Sequence, residues 1–187
     1  LRRPLRAAPP LSELFRRARW LDRAPKPDEL LADLVGLHAA RAGVTEATLG
    51  AFRDASGATG YGLLAAAVPS DATRVVDLGC GNGPLLEVLA ARRPPFARIV
   101  GVDACAPEIE RARARLGDRV ELLACAAQDF EVEPASIDAV LSHHAFYLFV
   151  PVEPVIERIA RALRPGGTFA FMTLGAQPNA LFAETMA

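Results

Sequence analysis

The stretch Val75-Val76-Asp77-Leu78-Gly79-Cys80-Gly81-Asn82-Gly83-Pro84-Leu85-Leu86 constrains this chain more than any other. It reads as a buried strand, an acid near the strand's end, a tight glycine turn and the start of a helix. In an open α/β sheet that junction is where nucleotide-like ligands bind. Asp77 narrows the ligand further. A helix N-terminus favours a pyrophosphate through the positive end of its dipole, and a carboxylate aimed at the same turn repels one. The acid suits a ligand that presents a cation there.

Beyond Pro69 the hydrophobic pattern alternates between two periods. Strands are expected near 74–78, 98–102, 120–124, 137–142 and 168–173, and helices near 84–92, 106–116 and 152–163. Runs such as Val75-Val76 and Ala139-Val140-Leu141 are continuously apolar, as in parallel strands buried on both faces. Strand–helix repetition with right-handed crossovers gives an α/β fold built on a doubly wound, mainly parallel sheet. Residues 1–69 read as an arm and a helical cap, and residues 70–187 as the core.

Within the cap, Asp28 to Ala42 is expected to be helical, with Leu30, Leu31, Leu34, Val35 and His38 on one face and Gly43 as its stop. His38 reads as a packing residue. Thr45 reads as the cap of a short helix bearing Leu49 and Phe52. Gly57 to Gly62 reads as flexible, and Leu63 to Val68 leads towards Pro69.

Four segments in order carry a family resemblance. Asp77-Leu78-Gly79-Cys80-Gly81-Asn82-Gly83 resembles the glycine-rich first motif of class I S-adenosylmethionine-dependent methyltransferases, which are Rossmann-like. Arg98-Ile99-Val100-Gly101-Val102-Asp103 resembles that family's second strand, and Ile137-Asp138-Ala139-Val140-Leu141-Ser142 its fourth. Leu163-Arg164-Pro165-Gly166-Gly167-Thr168-Phe169 is similar to the turn into its fifth.

The resemblance implies S-adenosylmethionine as cofactor and assigns residues to it. Gly79, Gly81 and Gly83 would let the backbone approach the ligand and offer N–H groups to its carboxylate. Asp77 would attract its amino group, and Asp103 would accept hydrogen bonds from both ribose hydroxyls. Cys80 and Ala104 flank these positions. Tyr61 is expected at the methionine end, under N-terminal helices that fold over the ligand. Many members place an acid after strand three to bind the adenine amino group. Here a gapless alignment puts Ala126 there, leaving backbone groups of Ala126 and Ala127 to bracket the ring and Gln128 or Asp129 to substitute.

Ser142-His143-His144-Ala145-Phe146-Tyr147 follows strand four, where the family's substrate meets the methyl group. Ser142 is grouped with the cofactor residues, and His143 and His144 are the catalytic candidates. A histidine suits proton removal because its ordinary pKa lies near 6.5. Neighbours in extended chain point oppositely, so only one of the pair, His143 by choice, is expected in the pocket. Asp138 is expected to stabilise the strand or an adjacent loop. The Asn/Asp-Pro-Pro-aromatic motif of amino-directed nucleic-acid methyltransferases is absent after strand four. So is the Cys-Pro pair that methylates cytosine C5. Pro84 and Asp77 argue against a nicotinamide site. Cys80, Cys105 and Cys125 lack paired metal-ligand spacing, so no metal is expected.

The expected activity is methyl transfer to a small-molecule acceptor in specialised metabolism, with neither nucleic acid nor membrane as partner. The alternative is a degenerate, non-catalytic methyltransferase-fold module of a larger protein. Three cysteines among 187 residues, an odd number, point to a reducing, cytoplasmic compartment. No apolar run approaches the ~20 residues of a membrane helix. The arginines of residues 1–26 read as the solvated side of a helix carrying Leu11, Leu14, Phe15, Ala18 and Leu21. Only Leu174 to Ala187 follow strand five. The antiparallel hairpin usual in the family therefore reads as missing, and strand five as an open edge. A homodimer or a longer polypeptide would complete it.

Overall fold

The computed structural model describes residues 26–92 and 95–173. The cap begins with α1, Pro27–Ala40. Pro27 is preset for a first helical turn, and the Glu29 carboxylate accepts from Lys26 N at 3.0 Å. Helix α2, Val44–Leu49, follows Gly43, whose φ of +82° makes the sharp corner. Helix α3, Gly60–Ala66, starts at Thr59, whose hydroxyl accepts from Gly62 N at 2.9 Å. Three expectations need correction. Thr45 lies inside α2 rather than capping it, Phe52 lies beyond it, and the Gly60–Gly62 segment is helical because Thr59 supplies a cap.

The core elements are β1 Arg74–Leu78, α4 Pro84–Ala90, β2 Arg98–Asp103, α5 Ala106–Leu116, β3 Glu121–Ala124, β4 Ile137–His143, α6 Glu153–Ala162 and β5 Leu163–Met172. All strand pairs are parallel, in the order β3-β2-β1-β4-β5. The chain winds outward from β1 to β3, then crosses back to β4. The gap between the C-terminal ends of β1 and β4 is thus the switch point at which such sheets bind ligands.

Alternation along the strands divides the core into two layers. Val75, Ile99, Ala139 and Leu141 face α3, α4 and α5 with Leu64, Leu85, Leu89, Ile109 and Leu116. Val76, Leu78, Val100, Val102 and Val140 face α6 with Phe130, Val155 and Ile159. Val75, Val76 and Leu78 are fully buried, which is why their run shows no polar alternation.

Strand β5 begins earlier than expected. Leu163 pairs with Ile137 and Thr168 with Ala139, so the residues between them bulge out of the ladder. Gly166, at φ +79°, makes that bulge possible. Asp138 behaves as anticipated. Its Oδ2 accepts from Thr73 N at 2.7 Å and Arg74 N at 2.8 Å, and Arg164 pairs with its other oxygen. Burial raises its pKa, but the Thr73 and Arg74 amides and the Arg164 charge outweigh that and hold it below the usual carboxylate value. It ties β4 to the start of β1, at the end of the strands remote from the glycine turn. The expected arm helix at Leu11–Leu21 and the missing hairpin after residue 173 fall outside the described residues. No described helix is long and apolar enough to cross a membrane.

Candidate active site

Strands β1, β2 and β4, the first turns of α4 and α5, and all three cap helices converge on one cleft of about 290 Å³ at the C-terminal ends of those strands. Of the residues expected to hold a ligand, Asp77, Gly79, Cys80, Gly81, Asp103, Ala104, Ala126, Ala127, Tyr61, His143 and His144 all line it. Gly83 and Ser142 do not. Gly83 starts α4 at φ +88°, and a side chain there would collide with Leu116 Cδ1 at 2.9 Å, so it is a packing glycine. Ser142 is fully buried and donates to Leu78 O at 2.9 Å. Its hydroxyl bridges β4 to β1 beneath the cleft floor.

The glycine turn is also used differently than anticipated. Gly79 N and Cys80 N donate to Val102 O at 2.8 and 3.0 Å, Gly81 N to Asp103 Oδ2 at 2.9 Å, and Gly83 N to Cys80 O at 3.0 Å. The first three amides fasten the turn to β2, the fourth closes it on itself, and none of the four is a spare donor for a ligand. The φ values of Gly79 and Gly81, +75° and +51°, are what this winding requires. A Cβ on Gly79 would meet Ala145 at 2.3 Å, whereas one on Gly81 would meet nothing within 4 Å. Gly81 therefore presents bare backbone to open space.

Asp77 is 1% exposed, and its Oδ1 has no hydrogen-bond partner. Burial, followed by the nearby Asp103 charge, pushes its pKa up to about 8. Asp103 is also raised, chiefly by burial, although Cys105 N and Gly81 N donate to its two oxygens at 2.8 and 2.9 Å. Two such groups in one cleft carry an electrostatic cost that a cationic ligand would relieve. Cys80 sits below them, and burial drives its thiol well above the ordinary value. It is a small protonated wall residue.

At the β4 end, both histidines face the cleft. The expectation of opposite directions fails because His144 leaves the strand at φ +54°, a left-handed turn that swings its ring to the same side. The two rings meet edge to face at 4.5 Å, and Tyr61 packs on His143 at 4.1 Å. Burial, then the neighbouring His144, lowers the His143 pKa to about 4, so the ring is neutral at physiological pH. His143 Nε2 is pressed against Gly60, where an added Cβ would lie 2.5 Å away. His144 is also lowered by burial, and its Nδ1 has no partner. Burial carries the Tyr61 hydroxyl up to about 12.

The cap supplies lining residues beyond Tyr61, several of them on the α1 face that the sequence pattern marks. Leu31, Leu34, Val35 and His38 of α1 line the cleft, and Leu37, outside the expected stripe, is the buried residue of that helix. His38 is more than packing: its Nδ1 lies 3.2 Å from Oε1 of the buried Glu108. Glu46 of α2 accepts from Asn82 Nδ2 at 2.6 Å and Arg115 Nη2 at 2.8 Å, tying the cap to the glycine turn. Burial raises Glu46, but the bonds from Arg115 and Asn82 outweigh it and hold the group below its usual value. These partners lie many residues apart, so no local pattern in the sequence marks them.

The chain is similar to known proteins in sequence and fold. Residues 76–171, just over half of the chain, match the sequence profile described as "Methyltransferase domain". An uncharacterized methyltransferase of Mycobacterium tuberculosis is 35% identical over 112 residues, 59% of this chain and 55% of the relative. A trans-aconitate 2-methyltransferase of Afipia carboxidovorans is 38% identical over 109 residues, 58% of this chain and 41% of the relative. The chain thus spans about half the length of the curated relatives it matches. Among solved structures, an S-adenosylmethionine-dependent methyltransferase from Mesorhizobium loti superposes with a TM-score of 0.52 at 29% identity, covering 59% of this chain and 51% of that one.

Proposed function

The chain belongs to the methyltransferase domain family, and we propose that it transfers a methyl group from S-adenosylmethionine to a small-molecule acceptor in the cytoplasm. One observation carries the reading: the buried, unpartnered Oδ1 of Asp77 beside the open backbone of Gly81. A sulfonium donor supplies an already activated methyl group for in-line displacement. The residues present fit its parts. Asp77 is matched to the amino group, since a bound ammonium would offset the burial that keeps the carboxyl protonated. Asp103 would meet the ribose, and Ala104, Ala126 and Ala127 would offer small apolar walls to a purine ring. Gln128 and Asp129 also line that end.

Because the donor is activated, the protein's tasks are to align the acceptor, exclude water and accept a proton where the acceptor carries one. Tyr61, His143 and His144 stand at that end. A residue whose conjugate acid has a pKa of about 4 is a weak base, and the His143 ring is packed against Tyr61, His144 and Gly60. It serves as the rigid support, and His144, with its free Nδ1, as the proton acceptor. The reading of a small acceptor is supported by the apolar wall of Leu148 and Phe149, and by the name of the Afipia relative. Specialised metabolism is the proposed setting.

The test is calorimetric titration of the chain with S-adenosylmethionine. Micromolar binding is expected. No heat of binding at millimolar ligand rejects the assignment and leaves the fold as a non-catalytic module; enhancement of NADH fluorescence instead would identify a nicotinamide site.

A further inference from the structure

Glu108 is the buried polar group of this cleft to which the proposed reaction gives no task. It lies in the first turn of α5 and is 2% exposed. Its Oε1 accepts from Gly43 N at 2.8 Å and lies 3.2 Å from His38 Nδ1, so two cap residues hold the carboxyl group in place. Its Oε2 is buried without a hydrogen-bond partner, and the residue lines the cleft. An acceptor held rigidly in an apolar wall with nothing to accept is costly unless a ligand supplies the donor.

Its neighbour shows which part of a ligand that donor belongs to. Cys105 links the two: its N–H donates to Asp103 Oδ1 at 2.8 Å, and its carbonyl accepts from Glu108 N at 3.0 Å. Glu108 thus stands just past Asp103, where β2 passes into α5, and both residues line the cleft. Each oxygen of Asp103 already accepts one main-chain N–H, from Gly81 and from Cys105. Two adjacent carboxyl groups, one with an open oxygen and the other already half-committed, match a group that presents two donors side by side. A vicinal diol does so. We propose that Glu108 is a second ribose-reading residue: the diol of the nucleoside is divided between Asp103 and Glu108, one hydroxyl each.

This rests on the methyl-donor reading above and deepens it. It makes the cap a part of nucleoside recognition, because Gly43 and His38 aim Glu108. It also sets a specificity. Nucleosides phosphorylated on either hydroxyl meet two carboxyl groups and are rejected.

The probes are 5′-methylthioadenosine and its 2′-deoxy and 3′-deoxy analogues, titrated into the full chain as wild type, Glu108→Gln and Asp103→Asn. Wild type should lose about tenfold in affinity for each missing hydroxyl. In Glu108→Gln, with the Oε1 contact to Gly43 kept, an amide N–H₂ replaces the free acceptor. That variant should bind the parent about tenfold more weakly and cease to discriminate against one deoxy analogue while still rejecting the other. Asp103→Asn should show the converse. Unchanged discrimination by Glu108→Gln overturns the inference alone. A wild type indifferent to either hydroxyl overturns it with no variant needed, even if Glu108→Gln fails to fold. A wild type that binds no adenosyl ligand removes the methyl-donor reading, and this inference with it.

Discussion

Asp77→Asn should make the empty protein more stable and the proposed ligand weaker, and the pH dependence gives the effect its size. In the fold the Asp77 carboxyl titrates at about 8, against about 3.9 in an unfolded chain. The folded state therefore keeps a proton that the unfolded state releases between those values. Stability from this group is complete below about pH 4 and is lost as pH rises towards 8. Linkage puts the cost at about 1–2 kcal/mol at pH 5, about 4 at pH 7 and about 5 at pH 8, as upper bounds.

Asparagine has the same shape and does not titrate. It leaves a buried amide to satisfy, at a cost of about 1–3 kcal/mol. The net gain at pH 7 is then roughly 1–3 kcal/mol, or about 2–4 °C in melting temperature for each kcal/mol in a domain of this size. Thermal unfolding of both proteins from pH 5 to 8 is the assay. The melting curves should diverge as pH rises, with wild type falling relative to the variant. A gap that is the same at both ends would mean that Asp77 is not perturbed as its burial requires, and the electrostatic case for a cationic ligand would fail with it.

Further expectations follow from the packing around the cleft. Ser142→Ala should cost about 1 kcal/mol of stability in denaturant titration while leaving affinity for S-adenosylmethionine unchanged; a loss of affinity would return Ser142 to the ligand site. Gly60→Ala drives a methyl group into His143 Nε2 and Met172 Sδ, 2.5 and 2.8 Å from the added carbon. It should destabilise the cap by about 1–3 kcal/mol, seen as faster proteolysis near residue 60, and wild-type resistance would refute the packing. With an acceptor in hand, His144→Gln should slow turnover more than His143→Gln. Because His143 titrates near 4, the rate should show no step from it above pH 6; a step that vanishes in His143→Gln would reverse the two roles.

The sheet was legible in the chain because parallel strands buried on both faces are continuously apolar, as Val75-Val76 and Ala139-Val140-Leu141 are. The turn at Gly79–Gly83 was legible because positive φ leaves few alternatives to glycine. What each amide there bonds to was not, since Val102 O comes to the turn only through strand pairing. The direction of His144 was hidden for a related reason: a non-glycine residue at φ +54° breaks the two-residue period on which the strand reading relied. Leu163 joined β5 ahead of a Pro-Gly-Gly segment that reads as a turn and is instead a bulge within the ladder. Glu108 with His38, and Glu46 with Asn82 and Arg115, are contacts between cap and core that no local pattern encodes.

The most direct test is calorimetry of S-adenosylmethionine binding at pH 7 in two buffers of different ionisation enthalpy. If a fixed cation seats beside Asp77, binding must expel the proton that the carboxyl holds, about 0.9 per site for a group titrating near 8. The release should be absent in Asp77→Asn. Binding with the same heat in both buffers, and equally tight in the variant, would contradict the account.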